Sequence, residues 1–417
     1  MRVAVIGAGA AGLATLKALL DAGCDPVGYE RMDRPGGLWT DTYASLHLNT
    51  SRGRTEFADH PMPADWPDYP SAGRVAGYLA DYAARFGLTP HIRFGTTVTR
   101  VEPGWTVTTA DGDTERFDAV VVANGHNWSP RLPSPGYPGT FDGVQMHAHD
   151  YRTPEVFRDR RVLVVGMGNS AMDIAVDASH TARGPVLLSA RHGVHIVPKY
   201  LFGRPADATG GALAGLPWRL RQAIAETLLR VAVGTPQRYG LPAPRGGLFQ
   251  NHPTVSDTIL HRITHGEVVA RPAIDRLDGA KVEFTDGTVD AVDVIVWATG
   301  YRVHIPFLSA AWRGADPESL PLYRRVFHLD DPSLAFVGLM QSTGAAFPVV
   351  EAQAKLVAAY LAGSYDLPPA DVRRRAVERA LRAAVARWGP DARPHMRVDF
   401  DTYIAELTRE IARGAHR

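Results

Sequence analysis

Three glycines near the N-terminus stand in a spacing that suits the phosphates of a dinucleotide. Gly7, Gly9 and Gly12 follow an apolar run at residues 2–6 and precede a stretch rich in alanine and leucine, which predicts a helix to about Asp21. The first glycine permits a tight turn, the second lets the backbone approach a pyrophosphate, and the third lets helix and strand pack closely. The N-terminus of the helix offers free N–H groups to phosphate oxygens.

An acidic residue completes this first unit. Glu30 ends a second predicted strand at residues 27–30, where its carboxylate can accept hydrogen bonds from both ribose hydroxyls of an adenosine without a 2′-phosphate. A glycine motif alone is weak evidence, but here the order of strand, turn, helix, strand and acid is complete.

The same order of elements recurs later in the chain with two informative differences. A strand at 161–165 leads into Gly166 and Gly168, but Ala171 replaces the third glycine, and the second strand at 186–189 is followed by Arg191 in place of an acid. A carboxylate there would repel a ribose 2′-phosphate, whereas a guanidinium can pair with it. The second unit therefore favours NADPH over NADH, and its candidate ligands are Gly166, Gly168, Asn169, Ser170 and Arg191.

Two nucleotide sites of different preference on one chain predict hydride transfer. One site would hold a bound flavin, and the other would present a nicotinamide to it. Glu30 assigns the first unit to FAD, and the segment ending at Arg191 assigns the second unit to NADPH.

The composition narrows the function classes. The 417 residues are 45% hydrophobic, and 45 Lys and Arg against 44 Asp and Glu leave a formal net charge of +1, which predicts no nucleic-acid partner. The single cysteine, Cys24, cannot form an intrachain disulfide or a Cys-x-x-Cys redox pair. The histidines show no metal-ligand spacing on a predicted helix, so we expect no metal site.

The chain begins directly on a predicted strand, without the pattern of a signal peptide. No apolar run reaches the ~18 to 20 residues that a bilayer span requires. We therefore expect no membrane contact and a cytoplasmic location.

The element order predicts an α/β fold with two Rossmann-like dinucleotide-binding domains. We expect a discontinuous FAD domain, formed by residues 1–155 and by 296–417 with C-terminal helices, and an NADPH domain inserted at 156–295. Small β-hairpin insertions are predicted around Asp111 and around Asp286, each followed by glycine. An insert at about 200–250, with a helix at about 217–233, either covers the active site or serves packing.

Several motifs resemble the flavin-containing monooxygenases, a family of class B flavoproteins that also includes the plant auxin-forming enzymes and the Baeyer–Villiger monooxygenases. Residues 141–151 match the family fingerprint F-x-G-x-x-x-H-x-x-x-Y at Phe141, Gly143, His147 and Tyr151. Its end, Tyr151 and Arg152, favours the branch that oxidises nitrogen and sulfur. The resemblance extends from residue 3 to about 362 and includes residues 35–39, 48–50, 57–63, 252–257, 298–301 and 351–355.

The resemblance implies further site residues. Asn49 would lie at the flavin, where its amide can hydrogen-bond a peroxyflavin or hold the nicotinamide, although an Asn before Thr50 is more often a turn or cap residue. His147 is expected to be structural rather than a catalytic base. The remaining candidate cofactor contacts are Gly37, Leu38, Trp39, Thr50, Asn124 and Gln341.

The resemblance also implies the chemistry. NADPH would reduce FAD, oxygen would add to give a C4a-(hydro)peroxyflavin, and a nucleophilic nitrogen or sulfur of a small metabolite would take up one oxygen atom. Two alternatives stay open: attack on a carbonyl, by Baeyer–Villiger insertion or oxidative decarboxylation of a 2-oxo acid, and an NADPH-dependent flavin reductase without oxygenation. Residues 233–241 resemble a segment of the plant enzymes and keep the first alternative open. The family also allows a homodimer.

Overall fold

The computed structural model describes residues 1–208, 216–391 and 393–414, and these form two compact units. The first unit comprises Met1–Asp41, Thr50–Asn127 and Val303–Arg417, and the second comprises Thr42–Asn49 and Trp128–Arg302, counting described residues only. The architecture is mixed α/β, as predicted.

A seven-stranded sheet forms the centre of the first unit. Its first strand, Arg2–Ile6, lies parallel between Asp25–Tyr29 and Ala119–Val122. The strand is apolar on both faces and nearly fully buried, as expected for a parallel sheet covered on both sides. The sheet order is Leu322–Tyr323, Phe327–His328, Leu334–Phe336, Ala119–Val122, Arg2–Ile6, Asp25–Tyr29 and Ile92–Arg93.

The helix after the first glycine turn, Ala10–Asp21, packs against Phe347–Leu361, which is apolar over most of its surface. The helices of this unit are Ala10–Asp21, Arg52–Thr55, Ala72–Arg85, Ala310–Arg313, Phe347–Leu361, Ala370–Trp388 and Phe400–Gly414, with 3-10 turns at Gly37–Thr40, Thr89–His91 and Pro317–Ser319.

The predicted hairpin around Asp111 is part of a three-stranded antiparallel sheet of Val98–Glu102, Thr106–Thr109 and Thr114–Arg116. Two further short strands of this unit, Gln341–Ser342 and Arg397–Val398, pair in parallel.

A five-stranded parallel sheet forms the centre of the second unit. The strand before the second glycine turn, Val162–Val165, lies between Val294–Trp297 and Val186–Ser189. The sheet order is Val144–His147, Val294–Trp297, Val162–Val165, Val186–Ser189 and Val268–Arg271. Helices Asn169–Ala178 and Ile259–Thr264 pack against one another and against strands of this sheet.

The hairpin predicted around Asp286 is also present. Strands Ile274–Gly279, Lys281–Phe284 and Val289–Ala291 form an antiparallel ladder, to which Gly139–Phe141 adds in parallel. Other elements of this unit are strands Ser129–Pro130, Ile196–Val197, Tyr200–Leu201, Arg204–Pro205, Thr254–Val255 and Tyr301–Arg302, and 3-10 turns Pro154–Phe157 and Pro236–Tyr239.

The long part of the second unit runs from Trp128 to Arg302, whereas the NADPH domain predicted from the sequence spans 156–295. The second unit begins at Trp128 rather than near 156, because strands Gly139–Phe141 and Val144–His147 join its sheets. Within the predicted insert, helix Trp218–Val233 is present, while residues 209–215 lie outside the described residues. Among the described residues, no helix combines the length and the apolarity needed to cross a bilayer.

Candidate cofactor sites

The first glycine turn is built so tightly that two of its glycines are required by packing. Gly7 has φ +108°, and a Cβ there would lie 2.5 Å from the carbonyl oxygen of Ala123, while a Cβ on Gly12 would collide with the carbonyl of Gly7. Gly9 differs, because its Cβ would meet only the Cα of Gly37, at 3.7 Å. Packing within the protein therefore does not require glycine at position 9. The close approach of a pyrophosphate to the backbone would require it.

The helix that follows presents a free N-terminus. Gly9 is its N-cap and supplies no side-chain acceptor, the first turn holds no acidic residue, and the first intrahelical bond runs from Leu13 N to Gly9 O at 2.9 Å. The preceding N–H groups, those of Ala10, Ala11 and Gly12, therefore suit the oxygens of a phosphate. The residues present fit the dinucleotide implied by the sequence.

Glu30 is 5% exposed and is bound to the glycine turn itself. Its Oε2 accepts a hydrogen bond from Ala8 N at 2.7 Å and its Oε1 accepts one from Met32 N at 2.9 Å. A carboxylate has about four lone-pair sites, so both oxygens can still accept a ribose hydroxyl. Glu30 thus also holds the turn, a contribution that the sequence motif does not predict.

A second loop lies beside the first glycine turn. Gly36 N donates to Ala8 O at 3.0 Å, and Gly36 and Gly37 have positive φ angles of +124° and +56°. The following Leu38 is 41% exposed, and the Trp39 ring packs edge-on against Phe347 with centroids 6.4 Å apart. The predicted contacts in this loop are therefore adjacent to the turn proposed to hold FAD.

The remaining candidates of the first unit make hydrogen bonds within that unit. Asn124 follows the strand next to Gly7, and its amide nitrogen donates to His304 O at 3.0 Å. Thr50 Oγ1 shares a hydrogen bond with Thr55 Oγ1 at 2.8 Å. Gln341 N donates to Met396 O at 2.9 Å, and its side chain is half-buried.

The second glycine turn repeats the geometry of the first. Gly166 has φ +133°, and a Cβ there would collide with the carbonyl oxygen of Ala298, whereas a Cβ on Gly168 would meet nothing within 4 Å. Gly168 caps the helix without a side-chain acceptor, and the first turn contains no acid. Ala171, at the third position, is fully buried, so its methyl group belongs to the core of this unit. This turn also fits a dinucleotide phosphate.

The polar candidates beside this turn divide into bound and free side chains. Asn169 Oδ1 accepts a hydrogen bond from Val255 N at 2.8 Å, and Ser170 is half-buried in the first turn of the helix. Arg191 is exposed two residues after strand Val186–Ser189, and its side chain makes no hydrogen bond or ion pair with another described residue. It is therefore available to an anionic group of a ligand.

His147 of the fingerprint is 4% exposed and has both ring nitrogens engaged. Nδ1 accepts from His149 N at 3.0 Å, which leaves the proton on Nε2, and Nε2 donates to Gly300 O at 3.0 Å. Burial lowers the pKa of this imidazole. The ring is therefore neutral, and its hydrogen bond to Gly300 O links the fingerprint to the turn after Val294–Trp297.

The segment Thr42–Asn49 lies on the helix of the second glycine turn. Tyr43 Oη donates to Asp173 Oδ2 at 2.8 Å, and Ser45 Oγ donates to Asp177 Oδ2. The same Asp177 oxygen accepts from Tyr151 Oη at 2.7 Å, so the fingerprint tyrosine and the segment share one acceptor. We refer to Thr42–Asn49 as the docked segment; its last residue, Asn49, is half-buried.

Sequence patterns did not identify Tyr43, Ser45 and Asp177 as partners. The available signal was Asp173 and Asp177, placed four residues apart and therefore on one face of the predicted helix. Burial raises the pKa of the Asp173 carboxyl to about 6, and the hydrogen bond from Tyr43 opposes that rise. Within the described ranges, no group of three His, Cys, Asp or Glu side chains could hold a metal ion.

Comparison with known proteins identifies the family. The model of the flavin-binding monooxygenase-like family matches residues 1–415. Flavin-containing monooxygenase 2 of Homo sapiens is 31% identical to this chain over 453 residues, which covers 98% of the chain and 82% of the human protein.

Solved structures agree. The structure of S-allyl-L-cysteine S-oxygenase from Allium sativum aligns with a TM-score of 0.74 and 28% identity, over 99% of this chain and 88% of that one. A closed crystal structure of cyclohexanone monooxygenase aligns with a TM-score of 0.75 over 99% of this chain and 98% of that one, but at 20% identity it supports the fold alone. The chain therefore belongs to the flavin-binding monooxygenase-like family and is a flavin monooxygenase that uses FAD and NADPH.

Proposed function

We propose that this enzyme transfers one oxygen atom from O₂ to a nucleophilic nitrogen or sulfur atom of a small metabolite, with NADPH as the reductant. The observation that carries this proposal is the similarity over nearly the whole chain to a protein named as an S-oxygenase and to the flavin-containing monooxygenases. The fingerprint ending in Tyr151 and Arg152 supports the same branch.

The first glycine turn is proposed to hold FAD. The N–H groups at the start of helix Ala10–Asp21 would bind the pyrophosphate, and Glu30 would bind the adenosine ribose while it holds the turn through Ala8. The loop carrying Leu38 and Trp39 would cover the cofactor with apolar surface. The proposed FAD-binding residues are Gly7, Gly9, Gly12, Glu30, Gly37, Leu38, Trp39, Thr50, Asn124 and Gln341.

The second glycine turn is proposed to hold NADPH. The start of helix Asn169–Ala178 would bind the pyrophosphate, and the exposed Arg191 would pair with the 2′-phosphate. Gly166 and Gly168 shape the turn, and Asn169 and Ser170 complete the set of proposed contacts.

FAD, when bound and reduced by NADPH, supplies the activation of dioxygen. The protein's part is to bind, to orient and to exclude water. We propose that the Asn49 amide orients the reacting groups by hydrogen bonding and is the catalytic residue of the chain. His147 takes no part in proton transfer, because its single ring proton is committed to Gly300 O.

Product analysis with the FAD-loaded enzyme tests the proposal. The enzyme is supplied with NADPH, ¹⁸O₂ and one substrate at a time: S-allyl-L-cysteine, N,N-dimethylaniline, cyclohexanone or a 2-oxo acid. We expect ¹⁸O in a sulfoxide or an N-oxide, and NADPH consumption that matches product. Label in a lactone, or loss of CO₂ from the oxo acid, would instead establish carbonyl chemistry, as residues 233–241 allow.

A reductase would behave differently from both. It would consume NADPH, release hydrogen peroxide in equal amount with every substrate, and leave all four compounds unlabelled. That result would refute the oxygenation proposal without affecting the family assignment. The cytoplasmic location and the homodimer stay predictions.

A further inference from the structure

The docked segment, which ends at Asn49, is attached to the second unit by its side chains and its backbone. Residues on both sides of Thr42–Asn49 belong to the first unit, but the segment itself belongs to the second. It is fixed there by the side chains of Tyr43 and Ser45 and by a hydrogen bond from Ala44 N to Arg152 O at 2.9 Å. The segment is therefore attached to the two parts of the second unit that carry the family's sequence signatures, the fingerprint and the glycine-turn helix.

We propose that Asp177 is a positioning residue for Asn49, which acts by holding Ser45 of the docked segment on helix Asn169–Ala178. This inference rests on the proposed function of Asn49. Asp177 itself is not a catalytic residue, since it binds the segment and not the substrate.

The geometry around Asp177 supports this role. Its Oδ2 accepts two hydroxyl hydrogens, one from Tyr151 and one from Ser45. Tyr151 is 1% exposed and stacks on Phe157 with centroids 5.2 Å apart, so one side of the acceptor is rigid. The buried Tyr151 hydroxyl thus orients the Asp177 carboxylate, and the same carboxylate oxygen holds Ser45 of the docked segment.

Packing alone would leave the segment less well oriented. Tyr43 and Leu48 are buried, and the Tyr43 ring lies 5.8 Å from the Tyr151 ring, but apolar contact is not directional. Hydrogen bonds to a carboxylate are directional and are stronger than those between neutral groups. Ser45 supplies such a bond four residues before Asn49.

The helix that holds the segment is also the helix proposed to bind NADPH. Ser170, a proposed NADPH contact, lies in the first turn of this helix, and Asp173, which accepts a hydrogen bond from the Tyr43 hydroxyl, lies about one turn later. The anchor of Asn49 and the phosphate site of NADPH therefore lie on one rigid element of ten residues.

Replacement of Ser45 tests the inference with little risk to the fold, because this side chain is only half-buried. The FAD-loaded Ser45→Ala enzyme should show amide hydrogen exchange about tenfold or more faster in residues 46–49, as expected for the loss of one hydrogen bond to a charged group. It should also release a several-fold larger share of its NADPH turnover as peroxide. Anaerobic reduction of the flavin by NADPH should change less than twofold.

Two control variants sharpen the result. Ser45→Thr keeps the hydroxyl and should restore both exchange and coupling. Ser179→Ala removes a hydroxyl at the end of the same helix, where Ser179 Oγ donates to Val176 O at 2.7 Å, and should match the parent enzyme.

The outcomes separate this inference from the proposed function. Unchanged exchange in Ser45→Ala, or faster exchange without additional peroxide while Asn49→Ala does release more, would overturn the role of Asp177. If Asn49→Ala itself releases no additional peroxide, the catalytic role of Asn49 fails, and with it the proposal that Asp177 positions a catalytic residue.

Discussion

Gly9 and Gly37 come so close that a Cβ on Gly37 would lie 3.1 Å from the Cα of Gly9. The glycine turn and the loop carrying Leu38 and Trp39 are therefore fitted to one another through two residues without side chains. The reverse contact is looser, because a Cβ on Gly9 would stand 3.7 Å from Gly37 and the backbone of Gly9, with φ −74° and ψ −170°, suits any residue.

Because a Cβ on Gly9 is tolerated by the fold, a substitution at Gly9 can test cofactor binding separately from folding. Gly9→Ala should fold with a thermal midpoint close to that of the parent apoprotein, yet bind FAD at least about tenfold more weakly, because its methyl group occupies the approach of the pyrophosphate. FAD fluorescence titration of the apoprotein measures the affinity. Gly53→Ala, whose Cβ meets nothing within 4 Å, is the matched control. Equal FAD affinity in Gly9→Ala would remove this turn from the site.

Arg191 is expected to set the preference for NADPH. Arg191→Ala should raise the Michaelis constant for NADPH by about tenfold or more, since one hydrogen-bonded charge pair is lost, and should leave that for NADH almost unchanged. Steady-state turnover at varied concentrations of each coenzyme gives both Michaelis constants. Arg183→Ala, another exposed arginine of the same unit, should behave like the parent. An equal effect on both coenzymes would contradict a 2′-phosphate contact.

Glu30 should both stabilise the first glycine turn and bind the adenosine ribose of FAD. Glu30→Gln places an amide NH₂ where the carboxylate accepts from Ala8 N or Met32 N, so one of the two bonds is lost together with the charge. We expect the dissociation constant for FAD to rise about 10- to 100-fold. Glu115→Gln, which removes a carboxylate paired with Arg2 and Arg93 in the same unit, should retain FAD. Tight FAD binding by Glu30→Gln would refute the assignment.

Asp173 should make stability depend on pH in an identifiable window. Burial raises the pKa of its carboxyl from 3.8 to about 6 in the folded protein, although Lys199 and the Tyr43 hydroxyl stabilise the charged form. The folded state therefore binds more protons than the unfolded state between these values, and the free energy of unfolding falls as the pH rises from about 4 to 6.

The Asp173→Asn variant cannot titrate at this position and should lack that contribution. The difference in unfolding free energy between parent and variant should thus change over this window by at most about 3 kcal/mol and then stay constant at higher pH. Urea denaturation of both apoproteins at pH 4.5, 5.5 and 7.5 measures it. Parallel curves would show that Asp173 titrates normally.

Local patterns predicted most of the fold. The strands before and after each glycine turn, the helix to Asp21 and both hairpins occur where the sequence indicates them, because glycine spacing and apolar runs act over a few residues. Helix Asn169–Ala178 ends where Ser179 Oγ donates to Val176 O, a side-chain hydrogen bond that no periodicity of the sequence reveals.

The candidate sites were less predictable, because their polar groups have partners distant in sequence. The hydrogen bond of Asn169 to Val255 and that of Asn124 to His304 depend on which loops the folded chain brings together. The attachment of Ser45 to Asp177 spans 132 residues and leaves no local pattern. Motifs therefore indicated the glycine turns, while the structure supplied the side-chain anchors.

The two-segment composition of the second unit limits how this enzyme can be engineered. Tyr43 belongs to the buried core of that unit together with Tyr151 and Ala171, although a stretch of the other unit, Thr50–Asn127, separates Tyr43 from Trp128 in sequence. A graft of Trp128–Arg302 alone into a relative would lack this ring, the hydroxyl donor of Asp173 and one of the two hydroxyl donors of Asp177. An exchange of coenzyme specificity between relatives must therefore transfer the eight residues Thr42–Asn49 together with Trp128–Arg302.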